Sequence, residues 1–168
     1  MKLLKFSLVL CLILSATFVF GQGQPIPNVN VKTLDGQTVN LKDTYGVSKD
    51  KITVISFWAT WCKPCQRELD AIADLYPDWQ DEYDVELVAI TIDTRRMLSQ
   101  VPGLVATKGW EYTILAGNDQ DLQTAFNFNT IPQTFVVDRN GNIIYTHNGY
   151  SPGDEEELED IIAEADKE

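Results

Sequence analysis

An α/β fold with a central mixed sheet flanked by helices is predicted by three observations. Apolar, β-branched runs alternate with helical patterns through the middle of the chain. A strong hairpin signal, Asp138-Arg139-Asn140-Gly141, joins two strands near its end. An amphipathic segment from Asp154 to Ala165 then closes it. Alternation demands parallel strands, since parallel neighbours need a crossover, and the late hairpin adds an antiparallel edge.

The elements follow in order. Met1-Lys2-Leu3-Leu4-Lys5 is a basic leader, followed by an apolar run from Phe6 to Phe20 that ends at small Gly21. This is the layout of a secretory signal peptide over residues 1–21, too short for a comfortable membrane span, leaving 22–168 as one domain. An uncleaved anchor is the alternative, whereas Cys11, preceded by Leu10, does not look like a lipoprotein site. Gln22 to Asn28 reads as a strap. Val29 and Val31, then Val39 and Leu41, alternate with polar residues around Asp35-Gly36, which predicts a β-hairpin ahead of the main domain. A loop through Gly46 and Lys49-Asp50-Lys51 leads to Ile52–Phe57, a buried strand by its β-branched and aromatic content.

Cys65, Leu69, Ile72, Tyr76 and Trp79 then recur at helical spacing, with Asp70, Asp74 and Asp78 largely off that face. Val85 to Ile92 is a second buried strand. Thr94 to Lys108 reads as helical, with Pro102-Gly103 as a break point. Glu111 to Leu115 is a short strand, and Asp119 to Phe126 a short helix capped by Asn118 or Asp119. Gln133–Val137 and Asn142–His147 form the late hairpin. The last helix carries acidic residues in its first turn, where they suit the helix dipole.

Composition limits function. Cleavage near Gly21 would leave about 147 residues, 11 basic against 25 acidic, for a formal charge of −14. That balance argues against nucleic acid or an anionic membrane as partner, since both need clustered Lys and Arg; membrane contact would come only through an uncleaved leader. Loss of Cys11 leaves Cys62 and Cys65 as the only thiols. A domain of this size does not need a disulfide for stability, so the pair points to function. Zinc fails by counting: a structural site needs four ligands, and the domain offers two cysteines and one histidine, His147. His147 reads as a strand residue at the sheet edge.

Cys62-Lys63-Pro64-Cys65 stands at a helix start, where unpaired N–H groups and partial positive charge favour a thiolate, the nucleophilic form of cysteine. Together with Phe57-Trp58-Ala59-Thr60-Trp61 before it and Thr130-Ile131-Pro132 some 65 residues on, it resembles the thioredoxin superfamily. The leader, the hairpin and the extra helix–strand segment at 94–115 resemble its secreted TlpA/ResA-like branch. The resemblance spans essentially the whole domain and implies a thioredoxin-like fold with an N-terminal hairpin and a helix–strand insertion. It implies a secreted or periplasmic thiol–disulfide oxidoreductase that reduces disulfides in partner proteins. An external thiol donor would reset it, and no dissociable cofactor is required.

In that reading Cys62 is the exposed attacking sulfur, flanked by Trp61, and Cys65, one turn deeper, resolves the mixed disulfide. Pro64 suits a first helical turn. Lys63 adds positive charge beside Cys62, though an exposed lysine is worth little. Pro132 is where the family carries a cis proline, letting the Ile131 backbone meet an extended substrate; the alternative is an ordinary trans proline entering a strand. Glu68 lies three residues after Cys65 and is placed to accept its proton. The acid that many thioredoxins carry in the preceding strand falls at Ser56, and the proline that usually follows this Glu is Asp70. The plainer reading of Glu68 is a solvated helical carboxylate. Trp58 reads as core, and Gly149 as a site of close backbone approach.

Two other functions compete. A peroxiredoxin-like thiol peroxidase would share Thr60 but wants a proline where Ser56 stands. A copper(I)-binding thiol module would suit two thiolates, yet Met97 is the only methionine of the domain and no third soft ligand is evident.

Overall fold

The computed structural model describes residues 23–44 and 50–167. The expected leader at 1–21 and the middle of the loop around Gly46 lie outside these residues. One eight-stranded sheet holds β1 (Gln24–Pro25), β2 (Asn30–Thr33), β3 (Thr38–Asn40), β4 (Thr53–Trp58), β5 (Glu86–Thr91), β6 (Thr113–Ala116), β7 (Gln133–Val137) and β8 (Asn142–Asn148). Their spatial order is β1-β8-β7-β4-β5-β6-β2-β3. The helices are α1 (Leu41–Thr44), α2 (Lys63–Tyr83), α3 (Val101–Lys108), α4 (Asp119–Phe126) and α5 (Asp154–Ala165).

β4, β5 and β6 pair in parallel and β7 lies antiparallel against β4, so the sheet is mixed as its pattern predicts. Every residue of β4 is buried, because helices cover both faces. On one face Phe57 meets Phe126 and Phe128, with ring centroids 4.9 and 4.6 Å apart, and Phe135 completes the cluster. On the other face α2 turns Leu69, Ile72, Tyr76 and Trp79 inward. α5 packs Leu158 and Ile162 into the same core.

Several expectations need correction. The late hairpin is not an edge: β7 is an interior strand, and the outermost place beyond β8 is taken by β1 in the stretch read as a strap. The early hairpin is not a separate addition, since β2 pairs with β6 and extends the main sheet. Pro102 does not break a helix. Pro is tolerated in a first turn, where its N–H is not needed, so α3 starts at Val101 after a 3₁₀ turn at Leu98–Gln100. The strand expected at 111–115 is shifted to Thr113–Ala116.

The strap constrains the sheet. Pro25 and Asn30 are five residues apart, a reach of at most ~18 Å. β1 and β2 are separated by six strand spacings, about 29 Å along a flat sheet. The sheet therefore curls to bring its β1 edge toward β2, and Ile26, 2% exposed, is buried in the crossing.

Candidate active site

Cys62 is the N-cap of α2, in extended backbone, with Pro64 in the first turn and no acidic residue there. Its sulfur accepts the Cys65 N–H at 3.3 Å, so an otherwise orphaned helix donor points at it. Cys62 and Cys65 are joined in a disulfide, with Cα atoms 5.3 Å apart. Contrary to the expectation of an exposed attacking sulfur, Cys62 is only 5% exposed. Trp61, at 60%, is open, as are Lys63 and Pro64, and Cys65 is fully buried. The loop folds back through Cys62 N–H to Ala59 C=O at 3.0 Å, which tucks the sulfur inward while the indole stays out.

That loop is pinned from two sides. Asp93, buried just after β5, accepts the Thr60 N–H at 2.8 Å and hydroxyl at 2.9 Å, and the Thr91 hydroxyl at 2.7 Å. Gln66, buried on α2, donates to Thr60 C=O at 2.6 Å and receives Lys63 Nζ at 3.3 Å. Sequence reasoning missed both residues. Asp93 follows the second buried strand and Gln66 stands four residues past Cys62, but nothing local in the sequence marks either as buried against Thr60.

Glu68 is not a solvated carboxylate. It is 4% exposed, because it lies at i+3 from Cys65 and i−4 from Ile72 on the inward face of α2. Ser56 and Thr134, paired across β4 and β7, donate their hydroxyls to its two oxygens at 3.1 and 2.7 Å. Burial pushes this carboxyl up to about 7, against the hydroxyl bonds and the positive charge His147 can carry, which favour ionisation; Asp154 raises it further. Ser56, where a peroxidase pattern wants proline, is thus a partner of Glu68. Asp70, where the family's proline usually stands, leaves α2 unbroken and reaches Lys108 Nζ at 2.5 Å and Trp110 Nε1 at 3.0 Å.

The Ile131–Pro132 bond is cis, as the resemblance implies. The register Phe57↔Gln133 carries Pro132 alongside the start of the Cys62 loop. Gly149 donates to Pro132 C=O at 2.9 Å; its φ of +90°, rather than close approach, explains the glycine, since a Cβ there would meet nothing. Trp58 is fully buried, stacked edge-on against Trp110. His147 lies partly exposed beside Asp154, 3.0 Å away, and not at the outermost strand. Among the described residues, no three His, Cys, Asp or Glu side chains converge as a metal site, and no helix is long and apolar enough to cross a membrane.

Fold and site define a thioredoxin-like protein whose Cys-x-x-Cys disulfide opens a helix, with a cis proline alongside. The chain belongs to the AhpC/TSA family, whose model matches residues 22–146. It is 31% identical over 128 residues to the thioredoxin-like protein YneN of Bacillus subtilis, covering 76% of this chain and 72% of that one. It is 29% identical over 122 residues to the thiol-disulfide oxidoreductase ResA of Bacillus thuringiensis, covering 73% of this chain. The match spans 66% of that ResA, just under two thirds of its length. A thioredoxin-like protein of Porphyromonas gingivalis superposes with a TM-score of 0.74 at 42% identity, covering 84% of this chain and 92% of that one.

Proposed function

We propose that this chain is an extracytoplasmic thiol–disulfide oxidoreductase that reduces disulfides in partner proteins through Cys62 and Cys65. The observation that carries the reading is the Cys62–Cys65 disulfide at the start of α2, with a buried carboxyl, Glu68, one turn behind it. The ResA relative, named for this activity, and the leader-like pattern at 1–21 support it.

The reduced protein has a Cys62 thiolate favoured by the helix N-terminus. That thiolate attacks one sulfur of a partner disulfide, forming a mixed disulfide and expelling the first partner thiolate. Cys65 gives its proton to Glu68 and attacks Cys62 Sγ. The Cys62–Cys65 bond forms, the second partner sulfur leaves with the electron pair, and both leaving thiolates take protons from solvent. Two electrons have passed to the partner, and an external thiol donor returns them. Trp61, Lys63, Pro64, Ile131 and Pro132 would frame the partner strand around the attacked sulfur, with Ile131 offering its backbone.

The test is insulin-disulfide reduction with dithiothreitol as electron source, beside single-turnover exchange with a disulfide peptide. Wild type accelerates reduction, Cys62→Ser falls to background, and Cys65→Ala stalls as a stable mixed disulfide with the peptide. No acceleration by wild type overturns the reading. A reduction potential near −120 mV, the oxidising end of the range for such pairs, would reverse the direction proposed.

A further inference from the structure

A carboxyl that takes the Cys65 proton in every cycle must also release it, and Glu68 is nearly closed to solvent. The sheet supplies a way out. The pairs Ser56↔Thr134 and Thr134↔His147 place three polar side chains in one row across β4, β7 and β8, on the face beneath α2. Two of the three donate to Glu68. The third, His147, borders the same small cavity of about 10 Å³, room for roughly one water. Glu68, Thr134, Tyr145, His147, Tyr150 and Asp154 are among its walls. His147 and Asp154 are 28% and 26% exposed, so the far wall meets solvent while the Glu68 wall does not.

Hydrogen bonding fixes the imidazole. Its Nε2 lies 3.0 Å from Asp154 Oδ2, which the Ser151 N–H also holds at 2.7 Å. Its Nδ1 lies 3.3 Å from the Tyr145 oxygen, whose own proton goes to Glu157 at 3.0 Å. With Nε2–H donating to Asp154, Nδ1 keeps a lone pair toward the Tyr145 hydroxyl, which can turn from Glu157 to donate to it, so the ring can take a proton at Nδ1 and hand one on from Nε2.

We propose that His147 and Asp154 form a proton port for Glu68, in which one cavity water carries the proton from the Glu68 carboxyl to His147 and the His147–Asp154 pair passes it to solvent. The inference rests on Glu68 being the acceptor of the Cys65 proton. The transfer is a proton relay alone: Glu68 returns to carboxylate, solvent gains the proton, and no electrons move. Both residues act through Glu68 and are positioning residues. The titratable groups around the ring are Glu68 from α2, Asp154, Glu155 and Glu157 from α5, Tyr145 from β8 and Tyr150 from the loop ahead of α5; β7 contributes only the uncharged Thr134. A protonated His147 favours ionised Glu68 and Asp154 opposes it, so removing one or the other pulls Glu68 in opposite directions.

Two measurements decide the matter. In the oxidised protein, the infrared band of protonated Glu68, assigned with Glu68→Gln, is titrated from about pH 5 to 9 in wild type, His147→Gln and Asp154→Asn. The midpoint is expected to rise by ~0.5 unit in His147→Gln and fall by a similar amount in Asp154→Asn. Shifts of the same sign, or none, overturn the proposal. In multiple-turnover disulfide reduction, His147→Ala is expected to slow turnover about tenfold, with free imidazole restoring it, while the first resolution of a mixed disulfide is unchanged. Unchanged turnover, or slowing without rescue, overturns the port. The infrared titration needs no exchange activity, so the port can fail while the oxidoreductase reading stands. Failure of wild-type insulin reduction would instead sink that reading.

Discussion

Glu68 and Asp93 are equally buried, each 4% exposed, and each serves the Cys62–Cys65 ring from a different side of the chain. Asp93 sits beneath the loop that enters the ring, Glu68 on the helix that leaves it. Their donors differ in kind. One of Asp93's is a backbone N–H, which can only donate and is orphaned if the carboxylate is lost. Both donors to Glu68 are hydroxyls, which can turn and accept when the carboxyl is protonated. Glu68 also borders a cavity with a partly exposed wall. Equal burial therefore yields a clamp in one case and a proton acceptor in the other, because the donors and the access to water decide.

The largest expected effect is kinetic. Glu68→Gln is expected to slow Cys65 resolution about 10²-fold or more and to flatten its pH dependence near neutrality, read by rapid-quench trapping of the mixed disulfide. Asp93→Asn should leave the pH midpoint where it is; an equal effect on that midpoint would erase the distinction.

Stability against pH sharpens the contrast next. The folded Glu68 carboxyl titrates near 7, above its ordinary value of 4.5. The folded state therefore holds this proton more tightly than the unfolded one. The site's contribution is complete below the ordinary value and is lost as pH rises through about 7, a swing on the order of 3 kcal/mol. Urea midpoints of oxidised wild type at acid and mildly alkaline pH should show this swing relative to Glu68→Gln. A constant difference would mean Glu68 titrates like a surface acid.

Asp93→Ala should cost about 2 kcal/mol, because it leaves the Thr60 N–H without its acceptor. Urea unfolding checks the size. The smallest effects belong to Ser56→Ala and Thr134→Val. Each removes one hydroxyl that favours ionised Glu68, and each should raise the Glu68 midpoint by up to about one unit. A lowered midpoint would show that the hydroxyls are not its donors.

Local signals made much of this legible. The continuous apolar run gave away β4, the Asn118 cap opened α4 and the Asp138–Gly141 turn joined β7 to β8 because each depends on neighbours in the chain. Cys62 and Cys65, the cis proline and the Glu68 position came from a motif. What could not be read depends on register between distant segments. Ser56, Thr134 and His147 form a row only because β7 lies between β4 and β8, and spacings of 78 and 13 residues carry no trace of that. The burial of Cys62 was missed for a related reason: it depends on a loop pinned by Asp93, 31 residues away.

The two-residue pairing of β1 has a consequence for how the domain is presented. Gln24 and Pro25 join β8 at Ile143 and Asn142, its first residues, whereas the cis proline and the Cys62 loop lie toward its last, Asn148. Six residues of strand, about 20 Å, separate the two. Gly23, where the described chain begins, therefore lies at the end of the sheet opposite the disulfide. Were that end held at a bilayer, the domain would face outward, with Trp61 and the disulfide turned toward whatever approaches from the aqueous side.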